Sequence, residues 1–288
     1  MVAHGGLMIR FPPKRVVVAY DMTDVSGTAW KHAAALAEAC GAELDVVYAD
    51  PSPMGADLLP PPDMTPDRAR VLREKMISVV GERTKVTILQ GDPAARILAY
   101  ARQHRADLVV VGTHGRTGLK RAVLGSTAEA IIRSSPLPVL AARGPVRPVR
   151  SILAPVNFTA YAQRGLAYAA GTAAVLKADL TALHVTDDPI WDGNIRTRLG
   201  VLLERLPAEV RRNCHPEAEV SLGEASEGIL RASPGHDWIV MVAHERSFVG
   251  AAVFGTTLER VLRRSSVPLL SVPLPKREAF VHRAAAHA

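Results

Sequence analysis

The chain has 288 residues, a hydrophobic content of 48% with only 5% aromatic residues, and a net charge of +7 from 35 basic and 28 acidic residues. This length is enough for one large or two ordinary domains, with cores built mainly from Ala, Val, Leu and Ile. The basic residues form no stripe with interleaved aromatics, which argues against a nucleic-acid site, and no apolar run approaches the roughly 20 residues of a membrane span.

Two cysteines, Cys40 and Cys214, stand far apart in the sequence. Their spacing argues against a disulfide framework or a zinc site and suits a reducing compartment. Residues 1–13 lack the apolar core of a signal peptide. We therefore expect a cytoplasmic protein that does not associate with membranes.

Strand and helix patterns alternate through the first half of the chain. Apolar, β-branched runs predict strands at Arg15–Tyr20, Leu44–Ala49, Val86–Leu89, Asp107–Gly112 and Val139–Ala141. Helices are predicted at Ser26–Cys40, Pro66–Val80, Ala94–His104 and Ser126–Arg133. The proline-rich segment 51–66 is either a surface loop or a lid. Such alternation predicts an α/β fold with a parallel sheet covered on both faces.

The second half repeats the first. Matching strands are predicted at Ser151–Val156, Leu180–Val185, Glu219–Gly223 and Asp237–Val242. Alignment of the two halves pairs Gly125 with Gly255, Thr127 with Thr257, Glu129 with Glu259 and Pro138 with Pro268. This tandem duplication predicts two doubly wound domains, 1–145 and 146–275, joined near a Pro/Gly linker at 144–148, and a basic tail at 276–288 that we expect to be disordered.

The stretch Gly112-Thr113-His114-Gly115, followed after nine residues by Gly125-Ser126-Thr127, joins a predicted strand to a helix with Ser126 or Thr127 near its N-cap. Backbone amides and the positive end of a helix dipole favour phosphate at such a place. Glycine suits a backbone that reaches positive φ or comes close to a ligand. An ordinary βα turn with unremarkable glycines is the alternative.

The strand order decides what faces this loop. Five-stranded doubly wound sheets commonly have the order 2-1-3-4-5 or 3-2-1-4-5, with ligands outside the carboxyl ends of the strands where the winding reverses. In the second order, strands 1 and 4 are neighbours at that reversal, so Asp21 faces the glycine loop. There Asp21 is expected to bind a sugar hydroxyl or, through water or Mg²⁺, a phosphate. A helix-capping or turn role is the alternative for Asp21.

The spacing Gly112-x2-Gly115-x9-Gly125-Ser126, together with Asp21 at the end of the first strand, resembles the ATP-binding universal stress proteins. The resemblance extends over both halves, about residues 14 to 273. It implies the order 3-2-1-4-5 and an adenine nucleotide, ATP with Mg²⁺, in the first half. Which adenine nucleotide is bound stays open.

The resemblance also implies roles for residues at matching positions. The adenosine side would be lined by Ala19, Tyr20 and Asp21, with the backbone of Ala49 against adenine. The ribose and phosphates would lie between Val111, Gly112, His114 and Gly115, although His114 is equally consistent with a surface loop. The phosphate tail would be held by Gly125, Ser126 and Thr127, next to Ala128, where some family members have a hydroxyl residue.

The second half departs from this pattern. Asn157 replaces Asp21, and Val242 and Glu245 replace Gly112 and Gly115. Valine resists positive φ, and glutamate both fills the approach path and repels phosphate. We expect this half not to bind ATP and to serve as a pseudo-symmetric, pseudo-two-fold partner. The resemblance implies contact through the last strands, Val139–Ala141 and Leu269–Val272, which the two halves are able to supply within one chain. Further dimerisation of whole chains stays open.

The leading functional hypothesis is a nucleotide-binding stress-response or signalling module whose protein partners are unknown. The sequence has no phosphate-binding P-loop, no dinucleotide fingerprint and no nucleophile elbow, so no catalytic residue is assigned. Slow ATP hydrolysis or phosphoryl or nucleotidyl transfer, and an interaction module without nucleotide, are the alternatives.

Overall fold

A computed structural model of the chain describes residues 11–51, 65–82, 84–113, 124–187, 192–243, 245–248, 251–254 and 256–273. The chain divides into two compact units. The first comprises Pro13–Ser135 and Val139–Val146, and the second comprises Met1–Pro12, Pro136–Pro138 and Arg147–Ala288. The centre of the proline-rich segment, residues 52–64, and the basic tail lie outside the described residues.

The first unit alternates strands and helices as the sequence predicts. Its strands are β1 (Arg15–Ala19), β2 (Glu43–Asp50), β3 (Lys85–Gln90), β4 (Leu108–Gly112) and β5 (Val139–Ala142). Its helices are α1 (Asp24–Cys40), α2 (Pro66–Val80), α3 (Pro93–Gln103) and α4 (Ser126–Ser134). All neighbouring strands are parallel, in the order β3-β2-β1-β4-β5.

The second unit has the same order of strands as the first. Its sheet contains β6 (Ser151–Pro155), β7 (Asp179–Thr186), β8 (Pro216–Leu222), β9 (Trp238–Ala243) and β12 (Leu269–Pro273), and an antiparallel hairpin is formed by β10 (Glu245–Phe248) and β11 (Ala251–Phe254). Its helices are α5 (Ala160–Leu176), α6 (Asp192–Glu204), α7 (Ala208–Cys214), α8 (Ala225–Ala232) and α9 (Thr256–Arg264), with a 3₁₀ turn at Ser233–Gly235. The strand order is β8-β7-β6-β9-β12. The sequence predicts neither α7 nor the hairpin.

The central strands are buried on both faces. Val16–Val18 of β1 and Leu108–Val111 of β4 are at most 2% exposed, and Ala29, Ala33 and Leu36 of α1 are buried with them. Unbroken apolar strands of this kind are typical of parallel sheets whose crossover helices cover both sides. The predicted α/β class is therefore confirmed.

Two neighbouring strands position the candidate site. β1 pairs with β2 on one side and with β4 on the other, so the winding reverses between β1 and β4. The carboxyl ends of both strands lie at one edge of the sheet, where ligands of doubly wound proteins bind. Among the described helices, none is both long and apolar enough to cross a membrane.

Candidate functional site

The turn after β1 is organised by Asp21. Its Oδ1 atom accepts hydrogen bonds from the amide of Thr23 at 3.1 Å and from the Thr23 hydroxyl at 2.6 Å. Met22, between them, has a φ of 65°. Burial raises the pKa of the Asp21 carboxyl, but hydrogen bonds from Ser26 and Thr23 outweigh it and bring that pKa below its ordinary value. The exposed side chain of Asp21 is therefore a carboxylate at neutral pH.

Tyr20 and Ala49 lie where β1 and β2 end. Ala19 is level with Val47, and the amide of Tyr20 donates to the Val47 carbonyl at 3.0 Å. Ala49 is therefore two residues beyond the last pair of these strands. Both Tyr20 and Ala49 are buried. Burial, and then the charge of Asp21, raise the pKa of Tyr20, so its phenol is neutral at physiological pH.

β4 ends at Gly112, directly after the buried Val111. A Cβ atom on Gly112 would lie 2.4 Å from the carbonyl oxygen of Val25, in the first turn of α1. Gly112 does not have a positive φ, so the conformational reason for glycine here, and for the exclusion of valine at the matching position, is wrong. Glycine is needed because α1 approaches β4 closely.

Helix α4 begins without a side-chain cap. Gly125 is its N-cap, with φ −60° and ψ 142°, and accepts the first helical hydrogen bond from Glu129 at 2.9 Å. In contrast, a side chain caps helices α1, α2, α3, α5 and α8, through Thr23, Thr65, Asp92, Thr159 and Glu224 respectively. The amides of Ser126, Thr127 and Ala128 occupy the first turn of α4, where an α-helix offers them no acceptor of its own.

His114 and Gly115 lie in residues 114–123, outside the described part of the chain. The described site residues at the carboxyl ends of β1, β2 and β4 share one sheet edge, and the βα topology begins α4 at that edge. Within the described residues, no three His, Cys, Asp or Glu side chains lie together as a metal site requires. The expected Mg²⁺ thus stays a prediction.

Comparison with known proteins identifies the family. The model of the universal stress protein family matches the chain twice, at residues 12–143 and 148–273. The chain belongs to this family. It therefore contains two universal stress protein domains in tandem, as the sequence predicts.

Individual universal stress proteins resemble one half or the whole of the chain. Identity is 36% to the protein MJ0531 of Methanocaldococcus jannaschii over 46% of this chain and 83% of that one. It is also 36% to a protein of Thermus aquaticus over 45% of this chain and 98% of that one. A crystal structure of a universal stress protein from Archaeoglobus fulgidus matches with a TM-score of 0.72 at 19% identity, over 91% of this chain and 99% of that one, which shows the shared fold.

The second universal stress protein domain keeps the turn but not the charge. Asn157 Oδ1 accepts from the amide of Thr159 at 3.4 Å and from its hydroxyl at 2.6 Å. Phe158, between them, has a φ of 60°. A neutral amide therefore supports the same turn, so the turn alone does not require a carboxylate at Asp21.

In the first domain the glycine at the contact between helix and strand is on the strand, and in the second domain it is on the helix. In the second domain Val242 of β9 faces Gly165 of α5, where a Cβ atom would lie 2.2 Å from Val242 Cγ2. Neither this pair nor the contact of Gly112 with Val25 is predicted from the sequence. For Val242 and Gly165 the aligned halves carry a signal, because valine replaces Gly112 on the strand and glycine replaces Ala29 on the helix.

Proposed function

We propose that this universal stress protein binds ATP in its first domain and that its second domain is a non-binding partner of the first. The observation that carries the proposal is the adjacency of β1 and β4 at the reversal of the sheet, which brings the Asp21 turn and the Gly112 end of β4 to one edge. The resemblance to ATP-binding universal stress proteins supplies the ligand class.

The start of α4 supports a phosphate-binding role. Three consecutive first-turn amides, at Ser126, Thr127 and Ala128, follow an N-cap glycine that provides no side-chain acceptor. Amides in this position carry the positive end of the helix dipole, and a phosphate oxygen is a suitable acceptor for them. A capping side chain, such as those on α1 and α3, would compete with that ligand.

The charge on Asp21 supports a contact with the ribose or with Mg²⁺. Because Asn157 forms the equivalent turn, the carboxylate is not explained by local structure. An ionised carboxylate is a strong acceptor for a ribose hydroxyl and a ligand for Mg²⁺. We assign it to one of these two contacts.

The second domain lacks the same chemistry. It has an amide at Asn157 and an acidic residue, Glu245, at the first position of hairpin β10–β11. Glu245 replaces Gly115, so a negative charge takes the place of a glycine in the segment that precedes the helix. We infer that one chain holds one nucleotide.

The test is the nucleotide content and stoichiometry of the whole chain. Freshly purified protein is denatured and any released nucleotide identified by mass spectrometry, and ATP binding is then measured by calorimetry. One ATP per chain is expected. Gly115→Glu, which copies Glu245, should abolish binding and leave the circular dichroism spectrum unchanged. Two equivalent sites, or none, would contradict the proposal.

A matched pair of variants tests Asp21. Asp21→Asn should keep the turn, as Asn157 shows, but weaken ATP binding by about 10- to 100-fold, the value of a hydrogen bond to a charged group. Asn157→Asp restores the carboxylate in the second domain only and should not add a site. Equal affinity of Asp21→Asn and wild type would remove Asp21 from the proposed site.

A further inference from the structure

An aromatic ring bridges two strand ends in the second domain. The ring of Phe158, which follows β6, packs against the ring of His184 on β7, with centroids 4.6 Å apart and planes tilted by 41°. The guanidinium carbon of Arg198, on α6, lies 4.1 Å from the Phe158 centroid. His184 Nδ1 is 2.6 Å from the carbonyl oxygen of Val156 and donates to it, because a carbonyl only accepts.

The matching position in the first domain has no such ring. Pro155 is level with Leu183, as Ala19 is level with Val47, so His184 corresponds to Tyr48. Phe158 corresponds to Met22, because each follows the turn residue and each has a positive φ.

In the first domain, the side chains at the matching positions, Met22 and Tyr48, make different contacts. Met22 is 38% exposed. The Tyr48 hydroxyl donates to Asp50 at 3.1 Å, and Asp50 in turn pairs with Arg68 of α2 at 2.9 Å. Within the described part of the first domain, no aromatic ring stacks on Tyr48.

The bridged gap is where the proposed function puts adenosine in the first domain, between the residues that end β1 and those that end β2. A nucleobase in such a gap is held by stacking on aromatic rings and on guanidinium groups. In the second domain Phe158 already has His184 on one side and Arg198 above its ring. In the second domain the Phe158 ring therefore stacks on the two groups, His184 and Arg198, on which a base in this gap would stack.

We infer that the side chain of Phe158 fills the gap between the ends of β6 and β7 in the second domain and that it excludes an adenine ring from that gap. The inference rests on the proposed function, which locates the base in the first domain. It adds a specific cause for the absence of nucleotide binding in the second domain, separate from the exchange at Glu245 on the phosphate side.

Transfer of the ring to the first domain tests the inference. Met22→Phe places an aromatic side chain beside Tyr48, in a backbone conformation that Phe158 itself adopts. Calorimetry on the full chain should show ATP affinity weakened by about tenfold or more, the value of stacking one base. Met22→Leu is the matched control, apolar and without a ring, and should bind like wild type.

A second measurement, by NMR, detects the packing of Phe158 on His184 in the absence of nucleotide. In the full chain, the His184 ring protons should show an upfield shift in the NMR spectrum from the Phe158 ring, and Phe158→Leu should remove it. Absence of that shift, or tight ATP binding by a folded Met22→Phe chain, would overturn the inference while the proposed function stands. A wild-type chain that binds no ATP would refute the proposed function and this inference with it.

Discussion

Single residues at the carboxyl ends of the strands determine how closely α1 and α5 approach their sheets. Gly112 has no room for a side chain because the Val25 carbonyl occupies that space. In the second domain the space is on the helix instead, where Gly165 receives the side chain of Val242. Packed interiors leave few voids, so a gain in volume on one side needs a loss on the other.

Substitution of alanine at two glycines of the first domain should have opposite effects on stability. Gly112→Ala puts a methyl group 2.4 Å from Val25 O, and overpacking of this kind costs about 1–3 kcal/mol. Gly27→Ala is the control, because nothing lies within 4 Å of its Cβ position in α1 and alanine stabilises a helix interior by about 0.5–1 kcal/mol. Urea unfolding of both variants checks this. A Gly112→Ala chain as stable as wild type would show that α1 is displaced at no cost.

At the scale of the elements, the strands and helices of the first domain and the strands of the second could be predicted because local signals agree with the fold. Val16–Val18 and Leu108–Val111 are strands by composition, and Gly41 ends α1 in the left-handed conformation that glycine favours. Helix α7 was missed because its seven residues follow Pro207 with no side-chain cap. Hairpin β10–β11 was missed because its sequence aligns with a glycine loop.

The sequence predicts which strand and helix ends form the candidate site, but not the contacts within it. Crossover handedness limits the strand order to a few possibilities, and the resemblance to universal stress proteins selects the order that places Asp21 and Gly112 at one edge. The reason for Gly112, and the filling of the second crevice by Phe158, depend on contacts between residues far apart in sequence. No local pattern in either half encodes those contacts.

Helix α1 is tied to the segment after β5 by a buried histidine, and this contact should respond to pH. His32 Nε2 lies 3.3 Å from the Gly144 carbonyl. Burial lowers the pKa of His32, against smaller opposing effects of the Gly144 and Arg143 carbonyls. The unfolded state therefore binds the proton more readily than the folded one, so that stability is retained above the unfolded pKa of about 6.5 and is lost as the pH falls through the folded pKa.

Thermal unfolding between pH 8 and pH 5 checks the sign. The melting temperature of the wild type should fall on acidification. The melting temperature of His32→Gln should fall less, because glutamine cannot take up a proton. A variant with the same pH dependence as wild type would show that other groups are responsible.

At the scale of the whole molecule, the two domains share one fold but differ at the carboxyl ends of their first strands. Each domain has its first strand between the second and the fourth, and each anchors the start of that strand through an aspartate before the fourth strand. Asp107 accepts from the amide of Arg15 at 3.0 Å, and Asp237 from that of Ser151 at 3.1 Å. The first strands are thus anchored alike at their amino ends, whereas the turns that follow them differ, with a carboxylate at Asp21 and an amide at Asn157.

ATP should therefore protect only one half of the chain from hydrogen exchange. Peptides covering residues 16–24 and 124–134 contain the Asp21 turn and the start of α4, and their amides should exchange more slowly with ATP. At a free ATP concentration 100 times Kd, ligand linkage adds about 2.7 kcal/mol, so amides that exchange through unfolding of the binding domain should slow by about 100-fold. Peptides 152–160 and 256–264 are the internal control, since they contain the matching turn and helix start of the second domain. Gly115→Glu should abolish the effect. Equal protection of both pairs of peptides at their turn and helix-start amides would mean that the second crevice is also a nucleotide site.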